Sequence, residues 1–289
     1  MSMIQPPDPN KAIEVFQKAA EFNLAESCRD GSTVRLPGYG QAVMTGDLHG
    51  HKKNFDKLTH YAMLDRVAAR HVILHEMVHA ELDPRYMDHS HELLLMAAEY
   101  KCEFPEQVHF LQSNHELAQL TGYPIAKNGR AVIEDYNHTV EQAYGPRFAK
   151  DVLAAMNTFI ASFALAVCTE NRIWMSHSLP NTYDMANFDP AIFGRTLTLE
   201  DLKKNQTIFS LVWGRRHNQE HIDKLAEMLG ADVFITGHQP QEMGFTMLFD
   251  RLIILASDHN HGTFLPFDLS KRQTAEELVK NIRKFVAIV

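Results

Sequence analysis

Residues 71–84 read HVILHEMVHAELDP, and the conformation given to them decides between two architectures. The stretch 70–83 has no Pro or Gly and could be helical, whereas HVIL (71–74) reads as a short buried strand. On a helix, His75 and His79 would stand one turn apart beside Glu76. That is the His-Glu-x-x-His arrangement, in which two imidazoles hold zinc and the carboxylate is a general base. On a strand that ends near His75, Glu76 would instead open a loop. The five residues HEMVH fit both readings, so the rest of the chain must choose.

The chain has 289 residues, 45% of them hydrophobic and 22% charged, the balance of a soluble globular protein with a sizeable core. Its net charge of −8 and pI of about 6.1, without a run of Lys or Arg, give no face for nucleic-acid backbone. Cys28, Cys102 and Cys168 are odd in number and lack a CxxC pair, as expected of reduced thiols in a cytosolic protein. The start MSMIQPPDPNKAIEVF has no basic segment leading into an apolar one, so no signal peptide is expected and the location is read as cytoplasmic. The most apolar window, 152–168, carries Asn157, Thr158 and Ser162. It reads as a buried helix running into a strand, not as a membrane span. The chain's 17 histidines favour a metal site and equally a chance His-x-x-x-His match.

Working outward, the pattern predicts a helix over 10–27, a turn at LPGYG (36–40), a buried strand AVMT (42–45) and a helix over 51–66. DHSHELLLMAAEYK (88–101) reads as a helix capped by Asp88 or Ser90, with His89 and His91 at its start. VHFLQ (108–112) is a strand, followed by helices over 115–121 and 130–160. From residue 163 strands dominate: FALAVC, RIWMS, and DVFIT after a helix near 218–229. GFTML, LIILAS and TFLPFDL then follow at hairpin spacing, and TAEELVKNIRKFV closes as a helix. Early strand–helix alternation and a late meander predict α/β layering in one domain, 1–289.

Four strand ends carry metal-capable residues. TGDLHGH (45–51) sets Asp47 and His49 two apart between glycines, so that a carboxylate and an imidazole can face one point. LQSNHEL (111–117) offers the Asn114 amide oxygen with His115 beside it, though Asn114 as a plain helix cap is the ordinary alternative. IWMSHS ends in His177 and ITGHQP in His238, where a simple turn is the alternative. Each signal is modest by itself. Their recurrence at the C-terminal ends of successive strands is where an α/β sheet places its site.

In this order the residues resemble the calcineurin-like metallophosphoesterases, and more closely the serine/threonine protein phosphatase branch. That family's GDxHG, GDxxDRG, GNHE, HGG and late Gly/Ala-His appear as GDLHG, a divergent second motif, SNHE, SHS and GHQP. EYKCEFPEQVHFLQSNHE, LVWGRR and LIILASDHNHG are similar to further family segments, and the resemblance covers roughly 38–270. It implies a four-layer α/β/β/α sandwich and hydrolysis of phosphate monoesters with two divalent cations, Mn, Fe or Zn. Asp47, His49 and His238 would hold one cation, Asn114 and His177 the other, and Glu76 both, with His115 as proton donor to the leaving oxygen. The implied partner is a phosphorylated substrate, either phosphoserine or phosphothreonine in a protein or a small phosphoester, with neither nucleic acid nor membrane.

The departures concentrate in HEMVH. His75 stands where the family has Gly, and Asp-Arg-Gly falls on His79, Ala80 and Glu81, which removes a carboxylate that orients the proton donor and a phosphate-binding Arg. Asp83 and Arg85 in LDPR are candidates to supply those roles, and Arg215 and Arg216 are further phosphate-binding candidates. His259 and His261 lie in the loop lining the family's cleft and are expected to touch substrate. Two rival readings are a catalytically weakened homologue that acts by binding, and the His-Glu-x-x-His zinc protease. The protease lacks a matching third ligand, since Leu82 and Arg85 occupy the Gly and last His positions of the longer pattern, and it leaves GDLHG, SNHE and GHQP unexplained.

Overall fold

A computed structural model describes residues 8–80, 87–127 and 129–288. In it the opening stretch is a strand: β4 (Arg70–His75) buries Val72, Ile73 and Leu74 completely. A run buried on both faces belongs to the interior of a parallel sheet. β4 pairs in parallel with β3 (Gln41–Thr45) on one side and β5 (Val108–Leu111) on the other. β13 (Thr263–Asp268) runs antiparallel to β3, and β14 (Arg283–Lys284) completes this five-stranded sheet.

The connections between parallel strands carry helices over the outer face. α2 (Lys52–Ala62) lies between β3 and β4, and α3 (Ser90–Glu103) lies between β4 and β5. α1 (Pro9–Ala25), capped by the Asp8 carboxylate on Asn10 N at 2.9 Å, packs with them. The segment 130–160 is two helices, α5 (Val132–Tyr144) and α6 (Ala149–Ala161), not one. Gly145 at φ 77° and Pro146, which cannot continue a helix, break it. At α3 the cap position falls to His89 without a side-chain bond, while Asp88 accepts from Ser90 N at 2.9 Å.

The second sheet runs β1 (Arg29–Asp30), β2 (Thr33–Leu36), β8 (Ala166–Thr169), β9 (Ile173–Met175), β10 (Val233–Thr236), β12 (Leu252–Leu255), β11 (Phe245–Leu248). β11 and β12 form the expected hairpin, but TFLPFDL does not extend it. β13 crosses to the other sheet because its two faces have different apolar homes. Leu265 and Phe267 bury between the sheets, while Phe264 joins the core under the helices. α4 (Asn114–Thr121), α7 (Leu199–Lys204), α8 (Gln206–Trp213) and α9 (Gln219–Leu229) cover the second sheet's outer face. A two-stranded ribbon, β6 (Ala126–Lys127) with β7 (Arg130–Ala131), stands apart.

Three apolar layers therefore separate helices, sheet, sheet and helices, the α/β/β/α order that the resemblance implies. The window 152–168 divides into α6 and β8, and no described helix is long and apolar enough to cross a membrane. The closing helix is shorter than its sequence pattern predicts: α10 (Ala275–Val279) stops, and Arg283–Lys284 pairs with β13. Burial of Phe285 against Phe264, with ring centroids 4.9 Å apart, holds the chain there.

Phe163 is fully buried, stacked on Phe110 at 4.9 Å and edge-on to Phe159 at 4.9 Å. Phe163→Ala should cost about 3–5 kcal/mol in urea unfolding, since the rings around it cannot collapse into the space. A loss under about 1 kcal/mol would contradict this packing.

Candidate metal centre

The strands of both sheets end at one place. β3 runs into Gly46 and Asp47, and Asp47 makes a parallel bridge to Ala256 just after β12. A side chain at Gly46 would strike the Leu255 backbone, so only glycine lets the two loops meet. Glu76 follows β4, and its carbonyl accepts from Leu48 N at 2.9 Å and His49 N at 2.7 Å, which ties the first and second motifs together. His49, Glu76, His79 and His238 all sit at positive φ, between 41° and 67°. For side chains other than glycine this costs of order 1–3 kcal/mol each, strain of a kind that clusters at functional sites.

Ser113 caps α4, accepting from Glu116 N at 3.3 Å, so Asn114 is free to face the cleft and does not serve as the cap. Glu116 has a role the sequence did not suggest. Its Oε1 accepts from Met77 N at 2.6 Å and Val78 N at 3.3 Å, fixing the loop after Glu76, and its other oxygen bonds Ser113 Oγ. Gly237 precedes His238 for a steric reason: a Cβ there would lie 2.5 Å from His75 Cε1 and closer still to Asp47 Oδ1.

Asp47, His49, Glu76, Asn114, His115, His177 and His238 thus converge. His177 Nε2 lies 2.8 Å from Asn114 Oδ1, 3.1 Å from His238 Nδ1 and 3.5 Å from Glu76 Oε2. His49 Nδ1 donates to Val78 O at 3.0 Å, which leaves Nε2 toward Glu76 Oε2 at 3.8 Å. Ligand atoms lie within 4.8 Å of one another in the sets His49, Glu76, His115; Glu76, His177, His238; and Asp47, His75, His177. The ring of His238 therefore groups with Glu76 and His177, not with Asp47 and His49 as the resemblance suggested. Its backbone N–H, instead, meets Asp47 Oδ1 at 2.9 Å.

The zinc-protease geometry is absent, because His75 ends a strand and His79 lies in the loop beyond it. Asp83 and Arg85 fall outside the described residues. Arg215 reaches the centre, with Nε 2.9 Å from His238 Nε2 and Nη2 3.2 Å from its carbonyl oxygen. Arg216 is held through its backbone, the buried Asn181 accepting from Arg215 N and Arg216 N at 2.8 and 2.9 Å. The ring of His259 is occupied within the protein, Nε2 donating to Gln241 O at 2.9 Å and Nδ1 accepting from His261 N at 3.1 Å. It pins two loops together. The sequence also missed Lys127 of the ribbon, whose charge bears on His49, Glu76, His79 and His115.

Burial raises the pKa of Asp47, and burial together with the neighbouring Asp47 charge raises that of Glu76. Burial pushes His49 and His238 down to about 3, with Lys127 adding to the first and Arg215 to the second. Two buried carboxylates among uncharged imidazoles are a donor set that fits a divalent cation, and this fit comes from the residues themselves. A separate buried set, Glu26, Cys28 and His109, does not, because Lys101 Nζ already occupies Glu26 Oε2 at 2.8 Å.

No protein-family model matches the chain, and no curated protein matches it in sequence. The fold, two sheets between helices, is one shared with solved protein phosphatases. In particular, a serine/threonine phosphatase from Saccharomyces cerevisiae with similarity to human phosphatase PP5 superposes with a TM-score of 0.69. The match covers 90% of this chain and 82% of that one at 13% identity. A cold-active protein-tyrosine phosphatase of a psychrophilic Shewanella sp. follows with 0.61, covering 88% and 80% at 14% identity.

A cation-free site has a measurable cost. The raised folded pKa values mean that stability is retained below the ordinary carboxylate range, near 3.8 to 4.5, and lost as pH rises through the raised values. In chelator, Asp47→Asn should therefore melt higher than the parent, by more at about pH 8 than at about pH 5. Equal melting at both pH values would contradict the electrostatic cause.

Proposed function

We propose that the chain is a metal-dependent phosphoesterase that hydrolyses phosphate monoesters, with a phosphorylated protein side chain as its substrate class. The observation that carries this is the convergence of Asp47, His49, Glu76, Asn114, His177 and His238 from the ends of both sheets into one cleft. The architecture shared with protein phosphatases of two specificities supports it.

On this reading His49 and Asp47 would hold one cation, Asn114, His177 and His238 the other, and Glu76 would contribute to both. Two such cations would supply Lewis acidity to a phosphoryl oxygen and a water-derived nucleophile at neutral pH. Arg215 receives the phosphate, its guanidinium standing at the rim against His238. His115 Nε2, 4.0 Å from Glu76 Oε1, takes up a proton from solvent and hands it to the departing alkoxide. The mixed oxygen and nitrogen donors suit Mn, Fe or Zn.

Metal analysis should find two ions per chain, and chelation should abolish Mn-restored hydrolysis of an aryl phosphate. His115→Asn should keep the metals and lose roughly 100- to 10,000-fold in kcat. Asp47→Asn should lose metal and activity together. Phosphopeptides carrying phosphoserine, phosphothreonine or phosphotyrosine, compared with nucleotides, would rank the substrates. One zinc per chain with peptide cleavage indifferent to Asp47, or bound metal without turnover of any phosphoester, would refute the proposal.

A further inference from the structure

The two histidines of HEMVH are not surplus to the centre they flank. His75 is fully buried, and its Nε2 lies 2.9 Å from the Thr45 carbonyl oxygen. That oxygen can only accept, so the ring proton sits on Nε2 and Nδ1 presents a lone pair. His177 Nδ1 is 2.9 Å from that lone pair. Two bare nitrogens would repel at this distance, so His177 carries its proton on Nδ1. Its bare Nε2 then faces Asn114 Oδ1 at 2.8 Å and Glu76 Oε2 at 3.5 Å, acceptors gathered on one point as ligands to a cation would be.

The same chain of contacts recurs four residues on. His79 Nε2 lies 2.9 Å from Gln119 Oε1. The Gln119 amide nitrogen donates to Asn137 Oδ1 at 2.8 Å, which turns the amide oxygen toward His79. His79 Nδ1 is therefore the bare nitrogen, and it meets His115 Nδ1 at 3.0 Å. The proton of His115 lies on Nδ1, and its Nε2 points toward Glu76.

We propose that His75 and His79 are a matched pair of positioning residues, each an imidazole acceptor that fixes the tautomer and orientation of a working histidine. His75 sets His177 with Nε2 bare for a cation, and His79 holds His115 by its Nδ1 proton, so that Nε2 faces the leaving oxygen and, once protonated from solvent, gives that proton up. A metal-ligating imidazole ordinarily has its second N–H held by a carboxylate, carbonyl or water, and losing such a partner costs 10- to 100-fold in affinity or activity. Here imidazoles fixed by a main-chain and a side-chain carbonyl do that work. The assignment of catalytic and ligand roles to His115 and His177 rests on the phosphoesterase reading, and the His177 tautomer on a cation at its Nε2, whereas the His79 and His115 tautomers do not.

The test is nitrogen-15 NMR of protein labelled at histidine, without metal and then with zinc, the signals assigned by His115→Asn and His177→Asn. His75 and His79 should appear protonated at Nε2 and His115 at Nδ1 throughout, and His177 at Nδ1 once zinc is bound. His79→Phe should release the His115 tautomer and slow an alkyl phosphate roughly 10- to 100-fold more than a nitrophenyl phosphate, whose leaving group needs no proton. His79→Asp, an acceptor that tolerates the left-handed backbone, should restore both readouts. His75→Phe should weaken zinc binding roughly 10- to 100-fold in a chelator competition, and His75→Asn should recover most of it. A proton on Nε2 of His115, or of His177 in the zinc-bound parent, or His79→Asp no better than His79→Phe, would overturn the proposal. Expected tautomers without phosphoester turnover would remove the functional reading and leave the hydrogen-bond roles standing. Turnover with reversed tautomers would do the opposite.

Discussion

Two carboxylates buried side by side, Asp47 and Glu76, are the constraint around which the rest of the protein is arranged. Alone in a low-dielectric cleft they repel, and the folded chain tolerates them because rigid strands deliver each from a separate direction. β3 and β4 bring the carboxylates, β9 and β10 bring His177 and His238, and α4 brings Asn114 and His115. The three apolar layers fix these elements to one another, so the energy that offsets the local repulsion comes from surfaces remote from it.

The loops translate strand position into side-chain direction, and they do so with unusual backbone. Left-handed conformations at His49, Glu76, His79 and His238 turn each chain back toward the cleft immediately after its strand. Glu116 holds one of these turns from beneath through the Met77 and Val78 amides, and Asn181 holds the Arg215 loop likewise. Neither contributes chemistry of its own. Both determine where the groups that do are pointed.

Much of this was legible in the sequence, and what was not has identifiable causes. GDLHG, SNHE and GHQP gave the site because each pairs a strand end with metal-capable residues at short spacing. The layered fold followed from strand–helix alternation. β1 and β2 escaped because they are short, and α7 and α8 because they are short helices that follow two 3-10 turns, with no long apolar period. The placement of β13 in the opposite sheet turns on which face each phenylalanine buries, a tertiary matter invisible to spacing. HEMVH was readable only in part. Glu76 could be placed by its strand, but the partners of His75 and His79 lie about 100 and 40 positions away, at His177 and Gln119.

The close approach of Gly237 to His75 and Asp47 has an evolutionary consequence. Position 75 can carry an imidazole only while position 237 carries no side chain, so the two sites are epistatic although 162 residues separate them. A lineage that acquired a residue with Cβ at 237 would be barred from this histidine, and one that has it can no longer vary 237. A side chain at 237 would meet the Asp47 carboxylate even before the His75 ring, so the same glycine answers to both residues.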